Sequence, residues 1–180
     1  MNNKQRFRRT LFSWLSSILL LGAASAPASE FNRDARGTQG MVAAAHPLAS
    51  EIGVEILKAG GNAVDAAVAV GFALSVVEPN ASGIGGGGFM LIWLAEENEA
   101  VYIDYREKAP SAATPDMFEL DADGKVKRDA RGFNPAVAGG RSIAVPGHVA
   151  GMLMALERYG TMTREQVLAP SIRYAEQGLE

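Results

Sequence analysis

The chain has 180 residues, 48% hydrophobic and 21% charged, which is enough length and apolar content for one domain with a real core. A formal net charge of −3 gives no sign of a nucleic-acid partner. Cysteine is absent, so disulfides, thiolate metal sites and a cysteine nucleophile are excluded, and two histidines, His46 and His148, are too few for a histidine-rich metal centre.

Residues 1–28 differ from the rest. Lys4, Arg6, Arg8 and Arg9 form a basic head, residues 11–21 are mostly apolar, and Ala24-Ser25-Ala26 supplies small residues for cleavage. That order predicts a secretory signal peptide, and the apolar run is too short to span a bilayer comfortably. Without it the chain carries 13 basic and 20 acidic residues, a formal −7. Export to a periplasm or beyond is expected, with membrane contact only in transit. Residues 29–39 are polar and charged, and predict a flexible terminus.

Residues 40–45 (GMVAAA) are short and apolar, and predict a buried strand ended by His46-Pro47. Pro47 suits a first helical turn; Leu48, Ile52, Ile56 and Leu57 recur at helical spacing, and Gly60-Gly61 supplies the stop. A second helix is predicted from Ala63 to about Val77, capped by Asn62 and apolar on nearly every face. Its one charge, Asp65, lies in the first turn, where the helix dipole favours a carboxylate.

The glycine-rich stretch 82–90 (SGIGGGGFM) comes next. Residues 89–94 and 100–105 predict an antiparallel hairpin joined by an acidic turn. Residues 116–135 are charged and irregular. Asp121-Ala122-Asp123-Gly124 resembles the start of a calcium loop, but its glycine comes too early and the distal glutamate is missing, so a turn is predicted. Residues 142–145 predict a short strand, and 151–159 a helix. Thr163-Arg164-Glu165-Gln166 reads as a capping box opening a last helix, which Pro170 should kink or interrupt. The predicted strands are few for a sheet buried on both faces, so an incomplete protein is expected.

Gly83 to Gly88 satisfies the letter of the dinucleotide pattern G-x-G-x-x-G. In such a site the glycines follow a strand and open a helix, whereas here a helix precedes and a strand follows, so no helix N-terminus is expected at the loop. No Lys-Ser/Thr pair follows either, which removes a P-loop. Two roles remain: backbone packing where no Cβ fits, or approach of backbone amides to a small ligand. Arg106, in Ile103-Asp104-Tyr105-Arg106-Glu107, closes the predicted hairpin, where its guanidinium can bind a carboxylate bidentately with Asp104 and Glu107 orienting it. A plain surface ion pair remains the alternative. His148 follows Pro146-Gly147 at a strand-to-helix turn. No serine, cysteine or second histidine is spaced to form a triad with it, and it reads as a neighbour of a helix cap.

Several of these segments occur together in one known family. Gly40-Met41-Val42-Ala43, Gly60-Gly61-Asn62-Ala63-Val64-Asp65-Ala66-Ala67, the run from Gly85 to Met90, Asp104-Tyr105-Arg106-Glu107-Lys108-Ala109-Pro110, Pro146-Gly147 and Tyr159-Gly160-Thr161-Met162 follow in that order. From about residue 38 onward the chain resembles the N-terminal part of the large subunit of a γ-glutamyltranspeptidase (glutathione hydrolase). The resemblance implies an α/β fold, the N-terminal-nucleophile hydrolase αββα sandwich, present here as an incomplete fragment over residues 40–180. It implies an exported precursor that cuts itself into two subunits, with a freed threonine of the small subunit as nucleophile and its own amine as base. Glutathione and other γ-glutamyl compounds would be the donors, water or an amino acid or peptide the acceptor, and the small subunit the partner. No cofactor and no metal are implied. Arg106 matches the arginine that binds the α-carboxylate of the γ-glutamyl group.

None of Thr38, Thr114, Thr161 and Thr163 matches the nucleophile's motif, so no catalytic residue is assigned in this chain, which is expected to be inactive alone. Two other readings stand beside this one. The first is a related acylase of the same fold, acting on β-lactam side chains or poly-γ-glutamate. The second is a non-catalytic exported fragment that captures small carboxylates through Arg106.

Overall fold

A computed structural model of the chain describes residues 35–179. The predicted signal peptide at 1–28, and residues 29–34 of the terminus expected to be flexible, lie outside them. The elements below all fall in the compact unit that begins at Thr38.

Helix α1 (Pro47–Lys58) starts where Pro47 predicts, with the His46 Nδ1 accepting from the Leu48 N–H at 3.2 Å. It stops at Gly60, whose φ of +95° is a left-handed turn that suits glycine. Helix α2 (Ala63–Val77) carries a full capping box between Asn62 and Asp65. Only Ala63 and Ala67 in it are exposed, as its all-round apolar sequence predicts. It is the central post of the helical layer: α1 lies along it, and α3 (His148–Tyr159) and α4 (Arg164–Gln177) pack against it. Close approach is made possible by small residues. A Cβ at Gly53 would stand 2.7 Å from a Val42 methyl and 2.8 Å from one of Val70, and a Cβ at Gly71 would stand 2.7 Å from Met152 Cε. Ile52, Val68 and Val167 fill the space between, each at most 1% exposed.

Asp65 does more than answer the helix dipole. It is fully buried and joins the start of α2 to the link between α3 and α4. Its carboxylate accepts from the Asn62 N–H at 2.7 Å, the Thr161 N–H at 3.0 Å, the Thr161 hydroxyl at 2.7 Å and the Met162 N–H at 3.1 Å. Burial alone would raise its pKa. The hydrogen bonds, led by the Thr161 hydroxyl, outweigh burial and hold the carboxyl below its ordinary 3.8.

The hairpin pairs β1 (Phe89–Leu94) with β2 (Glu99–Asp104) in antiparallel register, Phe89 opposite Asp104 and Leu94 opposite Glu99. Strand β2 begins one residue earlier than predicted. Tyr105 still extends the ladder, exchanging two backbone hydrogen bonds with Gly88 at 3.0 and 3.3 Å. Alternation separates the two faces. Ile92 and Ile103 are buried, while Phe89, Leu91, Trp93 and Tyr102 are more than half exposed on the other face.

Three expectations change. Residues 40–45 form no strand: among the described residues nothing pairs with them, and Val42 and Ala44 instead lean on the helices as irregular chain. Residues 142–145 are not a strand either. A 3₁₀ turn occupies Gly140–Ser142, and only Val145 pairs, through a single bridge to Lys108. Pro170 does not interrupt α4, which continues to Gln177 with Pro170 buried inside it. Helix α3 begins three residues earlier than predicted, at His148. The Asp121–Gly124 segment is a turn, as expected. Asp121 Oδ1 accepts from the N–H groups of Asp123 and Lys125, and a bridge joins Leu120 to Val126.

Candidate functional site

The candidate site stands at the open end of the hairpin, where the glycine loop, the Tyr105–Glu107 segment and the start of α3 meet. The loop lies between a helix and a strand, as the sequence indicates, yet a helix N-terminus does reach it. The N–H groups of Gly147 and His148 donate to the Gly86 carbonyl at 3.0 and 2.9 Å. This corrects the expectation that no helix start lies at the loop. Helix α3 arrives from about 60 residues further along the chain, beyond the reach of a local pattern. Two of its free donors are engaged by backbone instead of facing a phosphate.

The glycines of the loop divide by role. A Cβ at Gly87 would stand 2.5 Å from the Tyr105 carbonyl and 2.8 Å from the Glu107 nitrogen, and one at Gly88 would stand 3.0 Å from the Tyr105 ring. These two are required by packing. A Cβ at Gly83 or Gly85 would meet nothing within 4 Å, so packing does not explain them.

Arg106 emerges from this junction. Its N–H donates to Asp104 Oδ1 at 2.9 Å, which turns the chain out of the strand. Its side chain is 57% exposed, with Nη1 3.2 Å from Glu107 Oε2. The angles are not those of a hydrogen bond, and Glu107 Oε2 is buried with no hydrogen-bond partner, so the contact is an ion pair by proximity. The guanidinium carbon lies 5.8 Å from the centre of the Phe89 ring, which stacks on Tyr102 with centroids 5.7 Å apart. The fork thus has an aromatic platform and a carboxylate beside it while much of it stays open to a ligand. Asp104 and Glu107, expected to orient the fork, differ in what they touch: Asp104 fixes the backbone and Glu107 meets the guanidinium.

His148, in the first turn of α3, is 7% exposed and packs edge-on against Phe72 and Tyr105, at 5.8 and 6.2 Å between centroids. Burial pushes its pKa below the ordinary 6.5. The backbone of Gly71 opposes this in part, although no hydrogen bond of good geometry reaches the buried Nε2. Neutral and enclosed, it serves packing. Among the described residues no three of His, Cys, Asp and Glu cluster as metal ligands.

A profile of the Gamma-glutamyltranspeptidase family matches residues 49–180. The chain belongs to the γ-glutamyltranspeptidase family. It is 46% identical to a glutathione hydrolase proenzyme of Bacillus subtilis (strain 168), covering 97% of this chain and 30% of that protein. It is 49% identical to an acylase ACY 1 proenzyme of Pseudomonas sp. (strain V22), over 81% of this chain and 26% of that protein. Among solved structures, a Helicobacter pylori γ-glutamyltranspeptidase matches with a TM-score of 0.73 and 48% identity, over 81% of this chain and 40% of that one. The fold is therefore that of an N-terminal-nucleophile hydrolase, carried in part: the chain spans about a third or less of the curated relatives it matches.

Sequence reasoning proposed Arg106 as a candidate and drew attention to the loop, and did not single out Tyr105, the residue on which the loop and the start of α3 converge. The signal was present. Gly147, which caps α3, and Gly151 in its first turn lie four apart, a helical spacing that leaves one side free of side chains.

Proposed function

We propose that this chain is the N-terminal part of the large subunit of a γ-glutamyl transferase and glutathione hydrolase precursor. Arg106 holds the α-carboxylate of the γ-glutamyl donor. The supporting observation is the presented fork: an arginine 57% exposed just beyond the end of β2, backed by Phe89 and flanked by Glu107. A carboxylate docked bidentately on such a fork is fixed in direction as well as in place. The γ-carbonyl is then held for attack by the threonine of the small subunit. That threonine's hydroxyl adds to the carbonyl while its α-amine takes the proton, and the amide nitrogen leaves protonated. Water or the amine of an acceptor then cleaves the acyl-enzyme. The signal-like residues 1–28 support a periplasmic or secreted location.

The test is hydrolysis of a chromogenic γ-glutamyl amide by the full-length precursor after processing. Losing a charge-assisted bidentate grip costs about 3 kcal/mol, so Arg106→Ala should raise KM by roughly a hundredfold. An unchanged KM would remove Arg106 from the substrate site. The similarity to the Pseudomonas acylase supports a second reading, an acylase cutting β-lactam side chains or related amides. A donor panel separates the two: turnover of acylated β-lactams with none of γ-glutamyl amides would favour the acylase.

A further inference from the structure

Tyr105 is enclosed by glycines from two separate stretches of the chain. From the loop, Gly87 crowds its carbonyl and Gly88 its ring. From the cap and first turn of α3, a Cβ at Gly147 would overlap the Tyr105 carbonyl and one at Gly151 would overlap its ring carbon Cγ. The His148 ring closes the enclosure edge-on at 6.2 Å. The backbone is tied as firmly as the ring, by the paired hydrogen bonds with Gly88. At the far end of the ring the Tyr105 hydroxyl donates to the Phe89 carbonyl at 3.2 Å. Phe89 is the residue whose ring lies under the Arg106 guanidinium.

We propose that Tyr105 is the positioning residue for Arg106, setting both the origin of its side chain and the aromatic platform on which the guanidinium rests. A half-buried tyrosine serving only to fill space would need room for its ring, as Gly88 and Gly151 give it, but not the close fit of its backbone against Gly87 and Gly147 as well. Here all four glycines make room for Tyr105, Gly87 and Gly147 for its carbonyl and Gly88 and Gly151 for its ring, and the next residue along is the one whose fork is presented. The physical consequence is geometric: a shift of Tyr105 by the width of a methyl group moves Arg106 relative to its platform. Displacements of that size in a substrate clamp are felt strongly. The inference rests on the reading of Arg106 as the carboxylate receptor.

The test uses the processed full-length enzyme, with a γ-glutamyl amide and the corresponding donor lacking the α-carboxylate. Tyr105→Leu and Gly151→Ala should each raise KM for the γ-glutamyl donor about tenfold, leave kcat within about twofold, and leave kcat/KM for the decarboxylated donor unchanged. In an Arg106→Ala background Tyr105→Leu should add nothing, because its effect passes through the missing fork. Tyr105→Phe keeps the ring and loses only the bond to Phe89, so it should show the same split at about two- to threefold, and it serves where the larger changes prevent processing. Equal losses toward both donors, or additivity with Arg106→Ala, would overturn the positioning role. An Arg106→Ala enzyme with normal KM would instead overturn the receptor reading itself.

Discussion

Replacing Asp65 with alanine strips a single acceptor from four donors. The N–H groups of Asn62, Thr161 and Met162 and the Thr161 hydroxyl all end on this carboxylate, which has no exposed surface. The hydroxyl can rotate toward another acceptor, but the three N–H groups are fixed by the backbone. A buried donor left without a partner costs on the order of 1–3 kcal/mol, and water reaching the partly buried Asn62 and Thr161 recovers some of that. The expected loss is about 3–5 kcal/mol, a large part of what a domain of this size has to lose. Asp65→Asn keeps one acceptor oxygen and turns an NH₂ toward two donors, so it should lose about half as much. Equilibrium denaturation of the chain gives the totals, and amide exchange at Thr161 and Met162 locates them. The acid side gives a second check. Because the folded carboxyl is held below 3.8, its contribution is complete above that pH and disappears as pH falls through the lowered value. Asp65→Asn should remove that part of the acid transition. Destabilisation below about 0.5 kcal/mol in the alanine variant would refute the account.

Two further outcomes follow from the same geometry. Gly87→Ala places a Cβ against backbone of Tyr105 and Glu107 and should destabilise the chain by about 1–3 kcal/mol, whereas Gly83→Ala, facing open space, should stay within about 0.5 kcal/mol by denaturant titration. His148 is neutral in the fold because burial lowers its pKa, so the unfolded chain takes up its proton first. Stability should be complete above pH 6.5 and decline below it, and His148→Gln should flatten melting temperature between about pH 5 and 7. Tyr105, whose own pKa burial raises, is the titratable group packed on that imidazole, and it stays neutral throughout this range.

The elements written in local chemistry were legible directly. Asn62 with Asp65 and Thr163 with Gln166 are capping boxes whose partners lie three residues apart, so their geometry is fixed by the helix they begin. The hairpin is likewise local, its alternation and short turn sufficient to set register. Arg106 could be singled out because a strand end and a charged pentapeptide are visible in the chain itself. Residues 40–45 and 142–145 misled for a related reason: an apolar run has strand character, but a strand exists only where another backbone accepts its hydrogen bonds.

The sequence by itself determined the helices, their caps, the hairpin and the family to which the ordered motifs belong. Tertiary structure alone decided what the glycines are for. Gly87, Gly88, Gly147 and Gly151 are scattered over more than sixty residues, and only the folded chain brings their missing side chains around one tyrosine. It also gave Asp65 its partners at Thr161 and Met162, nearly a hundred residues away. Contacts of that separation depend on how helices pack, and packing is a property of surfaces in three dimensions that no local pattern of residues records.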